Sequence, residues 1–194
     1  MFDTRQFMVK ERVAFLKLTD TYDIFDLASG AKLGIAQEAV APLIKFARLL
    51  INKRLLPTSI EIRANDGGPA LLTIRRGVGL FRTPVQITDQ SGRQIGTLKS
   101  KLFSLGGGFS IFDAAGNQTA ELKGDWKGWN FTLRRANGEE LGKVTKKWGG
   151  IGKELFTSAD NYVIALNDKT AHSQESVAML LAAGIAVDTV YKEK

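Results

Sequence analysis

The side chains that usually carry catalysis are scarce in this sequence. There is one histidine, His172, and no cysteine. The missing thiol excludes cysteine nucleophiles, Cys-ligated zinc, iron–sulfur clusters, disulfides and palmitoylation. A triad or a histidine metal site would have to be built on His172 alone. That residue lies just before an apolar segment, where a place in the turn leading to it is expected. The acid pair Glu139-Glu140 sits beside a turn, and adjacent strand residues point to opposite faces, so the two cannot share an acid/base site. Gly106-Gly107-Gly108 lacks the Lys-Ser/Thr of a phosphate loop and precedes a strand, not a helix. The reading is a non-enzyme without a cofactor.

Cations are plentiful. The formal net charge is +7, and a basic surface attracts nucleic acid, anionic lipid and acidic proteins alike. Lys99 and Lys101 share a strand face, as do Lys143 and Lys147, while Arg75-Arg76 and Arg134-Arg135 flank turns or strand ends. Near an anionic membrane each such group contributes about 1 kcal/mol. Trp126, Trp129 and Trp148 lie among Lys123, Lys127 and Lys147, a mixture that single-stranded nucleic acid uses for stacking. No RNA-recognition or helix-turn-helix pattern accompanies it, so nucleic acid is the less favoured partner.

The elements that must position these groups come from a repeated unit. Tyr22–Ala36, Val85–Ser100, Phe109–Gly124 and Phe131–Lys146 each read as strand, short polar turn ending in glycine, and second strand. Ile60–Ile74 is a weaker copy. Gly92, Gly116 and Gly138 mark the turns at a recurring interval, and dipeptides such as Ser91-Gly92 and Asn137-Gly138 supply the positive φ of tight hairpins. Val85 and Ile87 alternate with Gln86 and Thr88, the period of a half-buried strand. Four residues after each turn glycine stands another small residue: Gly34, Gly96, Ala120 and Gly142. Either something approaches closely there or the strand must bend. Many antiparallel strands at even spacing mean a sandwich or a barrel.

Two segments break the pattern. Pro42–Leu56 reads as an amphipathic helix, with Val40, Leu43, Ala47, Leu50 and Ile51 as its apolar stripe and Lys45, Arg48 and Asn52 opposite. Lys45, Arg48, Lys53 and Arg54 beside Phe46 and Leu49 also suit an interfacial anchor; packing of the stripe on the sheet is the favoured alternative. Ser173–Tyr191 reads as a helix capped by Ser173 and apolar all round from Val177 to Val187, which demands burial on every side. Its eleven apolar residues fall short of the roughly 18 that span a bilayer. The first ten residues lack the apolar core of a secretory signal.

Lys146–Leu166 (KKWGGIGKELFTSADNYVIAL), followed by Ser176–Lys194, resembles the C-terminal part of phospholipid scramblases and of the LURP-one-related proteins in the Tubby C-terminal-like superfamily. The shared features are a Trp–Gly turn, a Lys-Glu-Leu-Phe-Thr strand, an Ala-Asp-Asn-Tyr turn, and a last apolar helix with Asp188 near its end. The resemblance covers nearly the whole chain. It implies a mainly β (α+β) fold: a closed antiparallel β-barrel of about twelve strands around a central C-terminal helix, with one extra amphipathic helix. The expected organisation is one domain over 1–194, with a helical insertion at 38–56 and the central helix at 173–191. The acidic segment that goes with calcium in scramblases would fall near Asp160 and Asn167-Asp168. Those side chains are fewer than the roughly six to eight oxygens that calcium takes, so no metal is expected.

The resulting expectation is a cytoplasmic domain, peripheral rather than integral at the inner face of the plasma membrane, that binds anionic phospholipid headgroups. The candidate residues are Lys99, Lys101, Arg134, Lys143, Lys147, Lys45 and Arg48. Phospholipid scrambling is one alternative, and a nucleic-acid or protein-scaffold module another. Gly92, Gly116, Gly138 and Asp188 are expected to be structural.

Overall fold

The computed structural model describes residues 1–12, 19–47, 50–51, 55–78, 83–101, 107–125, 129–146, 161–167 and 173–191; for Leu43, Lys45 and residues 189–191 it describes the backbone alone. Twelve strands follow one another: β1 (Gln6–Glu11), β2 (Thr21–Asp26), β3 (Lys32–Glu38), β4 (Thr58–Arg63), β5 (Ala70–Arg76), β6 (Val85–Asp89), β7 (Gln94–Ser100), β8 (Gly108–Asp113), β9 (Gln118–Asp125), β10 (Asn130–Arg135), β11 (Glu140–Thr145) and β12 (Asn161–Leu166). Each pairs antiparallel with its chain neighbours, and β1 pairs with β12, so the ring closes and leaves no open edge. Two helices complete the chain: α1 (Pro42–Ala47), between β3 and β4, and α2 (Gln174–Tyr191). The expected closed antiparallel barrel of twelve strands is the observed architecture.

The small residues after the turns answer the question the sequence leaves open. In all five hairpins the ladder slips by one residue at the same place, leaving Leu33, Leu71, Ile95, Thr119 and Leu141 bulged. A bulge bends its strand and adds twist, which a sheet needs in order to close. The neighbouring small residue also admits a close approach. A Cβ on Gly96 would lie 2.3 Å from Met179 Cε of α2 and 2.6 Å from the Phe112 carbonyl oxygen. Both readings hold at once: the strand bends, and something lies against it.

The α1 segment departs from expectation. The helix closes after six residues, and Leu50 and Ile51 are in a turn and a bend instead of a continuing helix. The apolar stripe is not packed along its length: Val40 and Ala47 are half-buried, but Leu50 is 90% and Ile51 44% exposed. No acidic residue stands in its first turn to favour the helix, and past its end the Leu50 and Ile51 amides both donate to the Ala47 carbonyl, at 3.1 and 2.8 Å.

The α2 segment is apolar as predicted. Every residue from Val177 to Asp188 except Gly184, which has no side chain to bury, has at most 7% of its surface exposed. It is not a member of the hydrogen-bonded ring. It touches β5, β6, β7, β8 and β12, and its side chains join one apolar cluster with inward residues of the strands, among them Phe7, Ile62, Leu98 and Phe131. A Cβ on Gly184 would meet Ile164 Cδ1 at 2.4 Å. Among the described residues no helix is long and apolar enough to cross a membrane.

Candidate functional site

Antiparallel order sorts the connections between strands into two rims. At one rim lie the five hairpin turns, 27–31, 64–69, 90–93, 114–117 and 136–139. At the other lie the connections 12–20, 39–57, 77–84, 101–107, 126–129 and 146–160. In the sequence this second set carries Arg12, Lys17, Lys45, Arg48, Lys53, Arg54, Arg82, Lys101, Lys127, Lys146, Lys147 and Lys153 against Asp20, Glu154 and Asp160. The five turns carry Arg93 against Asp66 and Glu139. In the sequence, the positive excess of the chain therefore falls in the long connections.

A pocket of about 520 Å³ opens at that rim, between the connection that carries α1 and the one joining β5 to β6. Its walls include Val40, Ile44, Pro57 and Pro84; its polar groups include Thr58, Ser59, Arg75, Arg76 and Gln86. Among the described residues that line it, none is acidic. The last three residues of β5 explain the arrangement. Ile74 points into the core, Arg75 faces out in line with Ser59 and Gln86, and Arg76 sits at the rim, where it donates to the Thr58 hydroxyl at 3.3 Å. Two lipid-candidate features thus lie side by side, and the sequence pattern had not joined them.

Most of the described headgroup candidates lie elsewhere, on the outer wall from β7 to β11, and they are not a free cationic surface. The Lys99 ammonium stands 4.3 Å above the Phe112 ring. Lys101 is paired with Glu121, and that contact holds the Glu121 carboxyl below its ordinary range. Arg134 and Lys143 both reach Glu140, at 3.9 Å and 3.3 Å. The strand register causes this, because Arg134 lies opposite Glu121 on one side and Glu140 on the other. Lys147, Arg48, Asp160 and Asp168 lie outside the described residues, as does the side chain of Lys45. Among the described residues no group of three or more His, Cys, Asp or Glu could hold a metal.

The structural candidates are placed clearly. Gly92, Gly116 and Gly138 have φ of 82°, 85° and 87°. Each follows an acceptor that stitches the turn: the Asp89 carboxylate takes the Ser91 amide at 2.9 Å, and the Asp113 carboxylate the Asn117 amide at 2.8 Å. The Ser91 and Arg93 contacts hold Asp89 at about 2. At the other rim Asp188 of α2 is 2% exposed and accepts a hydrogen bond from the Tyr22 hydroxyl at 2.5 Å, across 166 residues of chain. Burial, reinforced by Asp188, pushes the Tyr22 and Tyr162 hydroxyls well above the ordinary tyrosine range. Trp129 packs on the core, 5.6 Å from the Tyr162 ring, with the Lys146 ammonium 4.3 Å from its centroid. A ring so engaged offers little as a stacking platform for a base.

Sequence reasoning missed Val78, which is 73% exposed. Its signal was an apolar residue set between Gly77 and Gly79, in a short connection bounded by Arg76 and Arg82. With the barrel and its two rims established, the chain belongs to a class of closed antiparallel barrels that end in an apolar helix. A sequence model of the Scramblase family matches residues 19–194, nearly the whole chain, and the chain belongs to that family. Neither the curated proteins nor the solved structures include a match to it.

Proposed function

We propose that this Scramblase-family barrel is a non-enzymatic module that binds anionic phospholipid at the cytoplasmic face of a membrane, with the rim of long connections turned toward the lipid. The observation that carries the reading is the charge segregation in the sequence: the long connections hold twelve Lys or Arg against three Asp or Glu, Arg12 and Lys101 being paired with Asp23 and Glu121, and the hairpin turns hold one Arg against two acids. An anionic surface orients such a body by Coulomb attraction, and the attraction fades within a Debye length, so contact favours the charged rim. The outer-wall cations Arg134 and Lys143 contribute less, because both already reach Glu140.

Within this reading α2 lies inside the ring of strands and serves as the barrel's core, not as a lipid path. Three observations support that placement. Its side chains are buried on all sides. It touches β6 and β12, which stand on opposite sides of the ring. It is also packed closely at Gly96 on β7 and at Ile164 on β12. Transbilayer lipid movement by this helix would require it to leave that packing, which argues for binding over scrambling.

Vesicle flotation at low and high salt tests the function. Recovery with phosphatidylserine-containing vesicles, falling as salt rises, is the expected result. Equal recovery on neutral phosphatidylcholine vesicles would sink the reading, and so would no recovery on either.

A further inference from the structure

The described residues include five large hydrophobic side chains that stand exposed: Phe46, Leu50, Ile51, Leu55 and Val78. All five belong to two neighbouring connections of one rim, 39–57 and 77–84, and the basic pocket with Arg75 and Arg76 opens between them. Isolated exposed apolar residues are ordinary, but a set confined to two adjacent loop tips is not.

We infer that these two connections form an insertion surface: Phe46, Leu50 and Val78 enter the interfacial region of an anionic bilayer while the basic groups around them stay at headgroup level. The inference rests on the membrane-binding reading above and adds which residues enter the lipid. Charge complementarity chooses the occupant. In sequence the two connections hold five Lys or Arg and no Asp or Glu, and the described residues that line the pocket between them include Arg75 and Arg76 and no acid. A surface of one sign beside apolar tips fits a plane that is anionic outside and apolar a few ångströms deeper. A protein partner would have to desolvate those cations at the core of its interface, where charged residues are depleted. After α1 the Leu50 amide donates to the Ala47 carbonyl at 3.1 Å, a turn that leaves Leu50 90% exposed.

The absence of cysteine makes the test direct. Leu50→Cys and Val78→Cys, each labelled with a bimane dye in the full chain, are mixed with vesicles of phosphatidylcholine and phosphatidylserine; Gln90→Cys, in a turn of the opposite rim, is the control. The expected result is a blue shift at positions 50 and 78, with quenching by brominated acyl chains, and no change at position 90. If the protein co-sediments with the vesicles while both dyes remain in water, insertion is refuted and surface binding stands. If nothing co-sediments, the binding reading itself fails and insertion with it. A blue shift without vesicles that grows with protein concentration would assign the surface to a second copy of the chain, and overturn the inference. As an unlabelled check, Phe46→Ser with Leu50→Ser lowers partitioning into the same vesicles by about a hundredfold or more, since two inserted side chains are lost. Both residues are exposed, so the melting temperature stays the same; unchanged partitioning would also overturn the inference.

Discussion

The two rims of the barrel are joined by the same twelve strands and differ in how the chain turns. At one, five reversals of four to six residues are fastened by aspartates and by glycines at positive φ, and the charges nearly balance. At the other, connections of up to nineteen residues carry an excess of cations and the exposed apolar tips. Short, fastened turns close a barrel and leave little surface to vary. Long connections cost little more in loop entropy as they lengthen, so they are free to carry side chains that serve binding. On the proposed reading, the end with short turns serves chiefly the fold, and the end with long connections carries the binding groups as well.

The sharpest way to strain that comparison is a glycine from each rim. A Cβ on Gly124, at the long-connection end of β9, would lie 2.1 Å from the Asn130 carbonyl oxygen and 2.6 Å from Phe131 Cα. Gly124→Ala must push two backbones apart, and a loss of about 3 kcal/mol is expected in urea unfolding. Gly92 has open space where a Cβ would stand, so Gly92→Ala meets only the cost of a left-handed alanine, about 1 kcal/mol. Equal losses would show that the wall and the turn are not held differently.

A second prediction concerns the buried tie at the long-connection rim. Tyr22→Phe removes the donor to Asp188 and leaves a buried carboxylate short of one partner, and a loss of about 2 kcal/mol is expected from the same unfolding measurement. An unchanged midpoint would mean that Asp188 is fully satisfied without Tyr22. Next in size, Arg75→Gln lowers partitioning onto anionic vesicles about fivefold, the equivalent of one cation near the surface, while Arg93→Gln at the turn rim leaves it unchanged. Equal effects from both would erase the functional distinction between the rims.

The smallest effects are those of pH, and they too divide by rim. Asp26, Asp89 and Asp113, beside the turns, are held below the ordinary carboxylate range by hydrogen bonds, chiefly from Thr4, Ser91 and the Asn117 amide respectively. Their contribution is present above the unfolded carboxylate pKa and is lost as the pH falls; for Asp89 the loss comes on approach to about 2. Tyr22 and Tyr162 are raised, so their contribution is complete below the unfolded tyrosine pKa of about 10 and is lost as pH rises beyond it. Carboxyl NMR shifts should therefore show Asp89 titrating near 2, and tyrosine absorbance should show two hydroxyls that ionise only as the protein unfolds. Titration of Asp89 in the ordinary range would show that the turn is not fastened as described.

Local chemistry made much of this legible in the chain alone. Alternation marked the strands, glycines after polar turn residues marked the hairpins, and the unbroken apolar run Val177–Val187 required a helix buried all round, because those signals act within a few residues. The candidate site was legible only in pieces. Arg75-Arg76 and Phe46 were visible as residue types, but which loops share a rim depends on the order in which strands close the ring. Strand register placed Glu121 against Lys101 and, within the β10–β11 hairpin, Glu140 against Arg134 and Lys143, so that headgroup candidates are paired. Period and composition set the face on which a side chain falls; only long-range pairing decides what lies opposite it, and that is the reason the barrel could be anticipated while the charged, apolar-tipped rim could not.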